Sequence, residues 1–442
     1  MSRRLRPFVV LATVLPVAAL AWVVPAAAQT PPARAESSSP VERATAEPVT
    51  FDEAVRRALD HHPTVGQAVQ AILRAEALLD QARSVFRPSV YGAAGTTVLD
   101  AARGFAGNIT QPRTQSSFNA TLSYPVLAAA RWAAKSQAAD QVGIARISAE
   151  ETRRQVAVTA AESYLAVIST ERQLAISVRD RDTAQALAEY ARLRLEAGQG
   201  SRLNFVRSSQ EVATSEGRLQ STALAVRQAQ EALGVAIFAD GPKDAKGEPE
   251  LAIPAAPARD DAWLLQRPDV RLFSAEVQAA DRVVRDNWKS WLPSATAAFT
   301  PQYVTPKGFF EPAATWRALV QLQIPIFDGT LGATKRIRIA DRETARLRLD
   351  AVKVQARSEL RRAEDAVVSH EQIVAASRQA AADAAEALRI TEIAYKAGAT
   401  TNIEVVQAQQ TARNAEIAAA QAEDRLRQAR LDLLVALGLF PQ

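Results

Sequence analysis

The chain has no cysteine in 442 residues, one methionine, three histidines and only 17 glycines. Without cysteine there is no disulfide framework, no thiolate metal site, no cysteine nucleophile and no thiol for N-terminal lipidation. No two histidines have the i,i+4 spacing that a zinc-binding helix uses. His61 and His62 precede Pro63 at a helix end, where a cap or turn is expected, and His370 falls beside a helix seam. The run Gly329-Thr330-Leu331-Gly332-Ala333-Thr334-Lys335 lacks phosphate-loop spacing, and no GxSxG elbow exists. No catalytic residue, cofactor or metal site can be named, so the chain does not read as an enzyme. Aromatics make up 6 % of it, and alanine, glutamine, arginine and glutamate are abundant. That composition argues for extended helix over a thin core. The net charge of +5 shrinks once Arg3, Arg4 and Arg6 depart with a leader, and no basic block remains. Nucleic-acid binding therefore has no support.

Long hydrophobic runs are also scarce. The run from Phe8 to Val24 follows a basic start and ends at Ala26-Ala27-Ala28, so residues 1–28 read as a signal peptide. An uncleaved anchor is the alternative; Pro16, Pro25 and the small-residue exit favour cleavage. Residues 29–48, rich in proline, alanine, serine and glutamate, are expected to form a flexible mature N-terminus. No later stretch reaches the roughly twenty apolar residues of a transmembrane helix.

What is present is a duplication. Pro125 answers Pro325, Gly198 answers Gly398, and Arg227-Gln228-Ala229 answers Arg427-Gln428-Ala429, an offset of about 200 residues. Upstream the offset is about 205, with Pro63 answering Pro268 and Pro88 answering Pro293. The first repeat spans 49–234 and the second 263–442. Between them, 235–262 is punctuated by Gly241-Pro242, Gly247, Pro249, Pro254 and Pro257 and reads as a linker or equatorial segment. Thr50 with Glu53 forms a capping-box pattern for a first helix, and Pro63 and Pro268 open a second helix in each copy.

After Pro88 and Pro293 the apolar period changes from helical to two. Phe118, Ala120, Leu122 and Tyr124 alternate with Ser117, Asn119, Thr121 and Ser123. Trp316, Ala318, Val320, Leu322 and Ile324 alternate in the second copy. Strands are expected near 89–98, 115–125, 294–304 and 315–325, each with one wet and one apolar face. Pro301 weakens the third of them. Then come two proline-free stretches, Val126–Asp240 and Ile326–Phe440, each dividing at a glycine. The segment before the glycine is long enough for a helix of roughly 100 Å. Leu360, Val367, Val374, Ala381, Leu388 and Tyr395 recur every seven residues, the mark of a supercoiled seam.

Strands of about ten residues suit a bilayer crossed at a tilt. Four cannot close a barrel, whose practical minimum is about eight, and lipid tolerates no open edge. If these strands span a membrane, several chains must share one barrel. Alternation alone fits equally a small sheet packed on helices; the leader and the duplication favour the membrane, with Phe118, Leu122, Tyr124, Trp316, Val320 and Leu322 toward lipid.

The stretches Leu59-Asp60-His61-His62-Pro63, Arg267-Pro268-Asp269-Val270, Trp291-Leu292-Pro293-Ser294, Ile324-Pro325-Ile326-Phe327-Asp328-Gly329 and Tyr395-Lys396-Ala397-Gly398 stand in a fixed order and duplicated spacing. Together they resemble the TolC family of outer-membrane efflux proteins, over about 49–442. The resemblance implies a mainly α fold with a small membrane β portion, a duplicated helix–strand–strand–long helix–helix unit. It implies a homotrimer whose α-helical barrel continues into a β-barrel of twelve strands, four from each chain. It further implies an outer-membrane duct, extending into the periplasm, for tripartite efflux or type I secretion. Its partners would be a periplasmic adaptor (membrane fusion) protein and an inner-membrane RND or ABC pump. Helix–strand junctions fall at Pro88, Pro125, Pro293 and Pro325, and hairpin-tip turns at Gly198, Gly200, Gly398 and Thr401. By the family pattern the pore constricts at Glu404 and Gln407, and at Asn204 and Arg207 in the first copy. Only Glu404 keeps the acidic character common there, which puts a doubly acidic cation-binding ring in doubt. The plainer role for Glu404 is a helix first-turn carboxylate favoured by the dipole. Arg267-Pro268-Asp269 points to the RND branch, while the missing lipidation cysteine leaves an ABC partnership open. The competing assignment is a periplasmic coiled-coil adaptor or another structural interaction protein, disfavoured because the chain lacks such a protein's large Gly- and Val-rich β-domains.

Overall fold

A computed structural model describes residues 46–253, 261–307 and 312–441. The expected signal peptide and residues 29–45 lie outside the described residues. The fold begins at Glu47–Val49 (β1), followed by helices Phe51–His61 (α1) and Pro63–Ser84 (α2). Thr50 caps α1 by accepting from the Glu53 N–H at 3.4 Å. His62 caps α2 through its ring nitrogen, with proline at the first helical position, where a missing N–H is harmless.

Strand Ser89–Val98 (β2) and strand Thr114–Ala128 (β5) form an antiparallel pair. The segment between them carries a small hairpin, Arg103–Phe105 (β3) and Asn108–Gln111 (β4). Its turn residues Ala106 and Gly107 both have positive φ, the geometry of a tight hairpin. In the second copy, Pro268–Arg285 (α5) leads through a short 3-10 helix, Asp286–Trp291, to strands Ser294–Thr305 (β7) and Ala314–Gln323 (β8). The spatial order β2-β5-β7-β8 makes one four-stranded sheet from both copies.

The long helices keep the offset to the residue. Ala129–Glu196 (α3) and Gly329–Lys396 (α6) have 68 residues each. Arg202–Ala236 (α4) and Asn402–Ala436 (α7) have 35 each and pack back along them. Propensity does not fix how such helices lie against one another; alanine-rich seams do. Leu360, Ala363 and Val367 of α6 bury against Ala429, Leu433 and Ala436 of α7. The heptad fades toward the tip, where Ala381 and Leu388 are half-buried before Tyr395 is buried again.

The main core sits where α1, α3 and the ends of α4 and α7 converge around the fully buried Tyr164. Here lies the expected linker or equatorial segment 235–262. It contains a strand, Lys243–Ala245 (β6), paired in parallel with β1, so residues 47 and 48 are also ordered rather than part of a flexible arm. The Tyr164 hydroxyl donates to the Gly247 carbonyl at 2.9 Å. Glu248 then pairs with Arg172 of α3 and, at 2.8 Å, with Arg427 of α7. The connection is a strap across both hairpins. Residues 254–260 of that span lie outside the described residues.

Candidate functional site

The register assigns every side chain of the sheet to one of two faces. Leu122 pairs with Val90 on one side and Phe299 on the other, and Phe118 pairs with Ala94 and Tyr303. Phe299 in turn pairs with Ala318, and Ala297 with Val320. One continuous face therefore carries all six residues expected toward lipid, and Trp316 and Val320 there are 71 % and 73 % exposed. Val90, Phe299 and Tyr303 belong to the same face and were not singled out from the sequence, because their strands alternate less cleanly. The opposite face holds Ser89, Ser123, Thr121, Thr300, Gln302 and Gln321. Its hydroxyls bond each other across strands, Ser89 to Ser123 at 2.7 Å and Thr121 to Thr300 at 3.2 Å. Both Thr residues lie within the break at Pro301 in the β5–β7 ladder, where proline has no N–H to donate. An exposed apolar sheet of this size needs lipid or protein against it. An arginine turned into its midplane would cost about 2–4 kcal/mol, and Arg317, the one charged residue of these four strands, lies on the polar face.

Pro88, Pro293 and Pro325 stand between helix and strand. Pro125 does not. It lies inside β5, paired with Thr296 next to a bulge before Leu127, and the strand runs on to Ala128. A bulge leaves a ladder position unbonded, which is where proline is tolerated. β8, by contrast, stops at Gln323, short of Ile324.

At the far ends of the long helices, Gly198 and Gly398 have φ of +72° and +77°. Each closes its helix by a paired motif: Gln199 N–H to Arg194 carbonyl at 2.9 Å with Gly198 N–H to Leu195, and Ala399 to Ala394 at 2.8 Å with Gly398 to Tyr395. A left-handed residue is needed there, and glycine supplies it without strain. Gly200 is required for a different reason: an added Cβ would lie 2.7 Å from the Leu195 nitrogen. Thr401 and Glu404 form a full capping box on α7, with the Thr401 N–H donating to the Glu404 carboxylate at 3.3 Å. Glu404, Gln407 and Arg207 are exposed and Asn204 is half-buried. A cleft of about 410 Å³ between the two turns is lined by Gly200, Asn204, Arg207, Gly398 and Thr401; Glu404 and Gln407 stand outside it. The sequence did not single out Asn402, 2 % exposed, whose amide donates to Ser208 of α4 at 3.2 Å and ties the hairpins together. Tyr190 and Tyr395 meet edge to face beside it at 5.6 Å, with the Arg194 guanidinium over both rings.

The family model for outer membrane efflux proteins matches residues 54–237 and 261–439, nearly all of both repeats. The chain belongs to the outer membrane efflux protein family. This efflux protein is thus a channel of the outer membrane, with helices reaching into the periplasm, of the kind that serves tripartite efflux. No curated protein matches it in sequence. Among solved structures it is similar to the outer membrane protein VceC of Vibrio cholerae, with TM-score 0.73 and 17 % identity over 88 % of this chain and 96 % of that one. It is similar to the Campylobacter jejuni CmeC outer membrane channel, with TM-score 0.75 and 15 % identity over 88 % and 85 % of the chains. The open state of the Neisseria gonorrhoeae MtrE outer membrane channel gives 0.73 and 20 %, over 88 % of both. At these identities the likeness is one of fold. No helix among the described residues is long and apolar enough to cross a membrane, which says nothing of a β-barrel.

Proposed function

We propose that three copies of this chain assemble into one passive export duct, each contributing its four strands to a shared barrel. The open sheet carries the proposal: β2 and β8 are unpaired edges on a sheet whose apolar face demands lipid. Unpaired backbone groups cost several kcal/mol each in hydrocarbon, so those edges must meet partners. Exposed apolar residues along α6, among them Ile337, Leu347 and Val354, support neighbouring copies beside the helices as well. A periplasmic adaptor docks at the helical tips, and an inner-membrane RND or ABC pump behind it supplies the energy. The chain itself performs no chemistry.

In the trimer Glu404, Gln407, Asn204 and Arg207 surround the narrowing at the tips. Three Glu404 carboxylates brought near one axis repel each other and attract a cation. Because Glu404 also caps α7, alanine there would remove a cap and a charge together. Glu404→Gln separates the two, since glutamine also serves in a capping box. In planar bilayers this variant is expected to conduct with weaker block by divalent cations than the wild type. Identical block would remove Glu404 from the constriction.

A further inference from the structure

Resting on the channel reading above, we propose that Arg317 sets the ionic preference of the exit barrel and makes its lumen favour anionic cargo. The four strands contain no aspartate, glutamate or lysine, and Arg317 is their one charged side chain. It sits three residues from the outer end of β8 at Ala314. The register joins it to Thr300, and Thr121 to Tyr91, while the Thr300 and Thr121 hydroxyls bond each other. A transverse row, Tyr91–Thr121–Thr300–Arg317, thus crosses the polar face. The neighbours of Arg317 along its own strand, Trp316 and Ala318, point to the apolar side.

With the apolar face toward lipid, the guanidinium projects into the lumen, and it is exposed. None of the four strands of this sheet carries a carboxylate, so the same strands of a neighbouring copy bring none either. Asp100, just beyond the end of β2, pairs with Arg103 at 3.8 Å. Copies related by symmetry place their arginines at one height, and their potentials add within a low-dielectric wall. The rest of this face offers hydroxyls and amides, which accept either sign, beside the uncharged Leu319, Ala93 and Ala298. A guanidinium ring on such a wall raises the local concentration of carboxylates, phosphates and sulfates and repels cations. The cargo class this fits is water-soluble molecules bearing an anionic group.

The test is a reversal-potential measurement on the full-length protein in planar bilayers under a potassium chloride gradient. The wild type, Arg317→Gln, Arg317→Glu and Arg317→Lys are compared. Chloride preference is expected to be equal in the wild type and Arg317→Lys, lower in Arg317→Gln and lowest in Arg317→Glu. The change should be about two- to fivefold in permeability ratio near 0.1 M salt and fade toward 1 M, as screening shortens. Thr300→Arg placed on the Arg317→Gln background should restore the preference from the adjacent strand. Tripolyphosphate added on the outer side should reduce wild-type current and leave Arg317→Gln unaffected. Normal conductance with one reversal potential in every variant overturns the assignment of Arg317 and leaves the channel standing. Absence of conductance from all of them, wild type included, overturns both.

Discussion

Arg267 shows what a single residue does in this thin-cored fold. Its guanidinium is buried and donates to Asp269 at 2.6 Å, to Glu359 of α6 at 2.8 Å and to the Ala436 carbonyl ending α7 at 3.2 Å. One side chain thus ties the start of α5 to both helices of the second hairpin. Burial alone would push Asp269 up, but the hydrogen bond and charge of Arg267 outweigh it and hold that carboxyl below its usual range. Removing one partner of a buried pair leaves the others uncompensated. Arg267→Ala is expected to lower stability by about 3–5 kcal/mol per chain, with Arg267→Lys intermediate, measured as denaturant midpoints in detergent. A wild-type midpoint for Arg267→Ala would contradict the clamp. From the sequence the Arg-Pro-Asp stretch marked a resemblance only. Its partners at 359 and 436 are distant along the chain, and pairing across that distance leaves no local signal. The first copy has His62 before its proline, and there the side chain merely caps a helix.

Among the elements, legibility followed periodicity. The glycines that end α3 and α6, the alternation along β5 and β8 and the offset of the long helices are repeated or periodic, and all were visible. The failures are local exceptions made possible by tertiary contacts. A bulge lets Pro125 stay inside a strand, and a three-residue strand docks a stretch whose prolines and glycines resemble those of any linker. That docking has an electrostatic cost. Burial, together with the neighbouring Asp244 carboxyl on β6, pushes Glu171 of α3 up to about 7. A carboxyl whose folded pKa lies above its unfolded value near 4.5 contributes stability below the unfolded value, and loses it as pH rises through about 7. Glu171→Gln, neutral throughout, should therefore raise the melting temperature at pH 8 and leave it unchanged at pH 4. The gain should be about 1 kcal/mol per chain, reduced from the full shift because the carboxyl is partly solvated. Thermal melts at the two pH values decide it, and an equal gain at both would contradict the raised pKa of Glu171.

At the scale of the whole molecule, the duplication gives each chain two strand pairs, and the two pairs join through β5 and β7 into one sheet. That sheet is too narrow to close on itself, with one face for lipid and one for water. Family membership places it in the outer membrane; closure by other copies is what makes it a duct. The absence of cysteine makes closure directly measurable, since any engineered pair is the only pair. One cysteine is placed in β2 and one in β8, the β8 position is stepped along the strand, and intact outer membranes are oxidised. The account predicts that one narrow set of registers yields covalent dimers and trimers and nothing larger. Cross-linking at no register, or a ladder running beyond three chains, would contradict it.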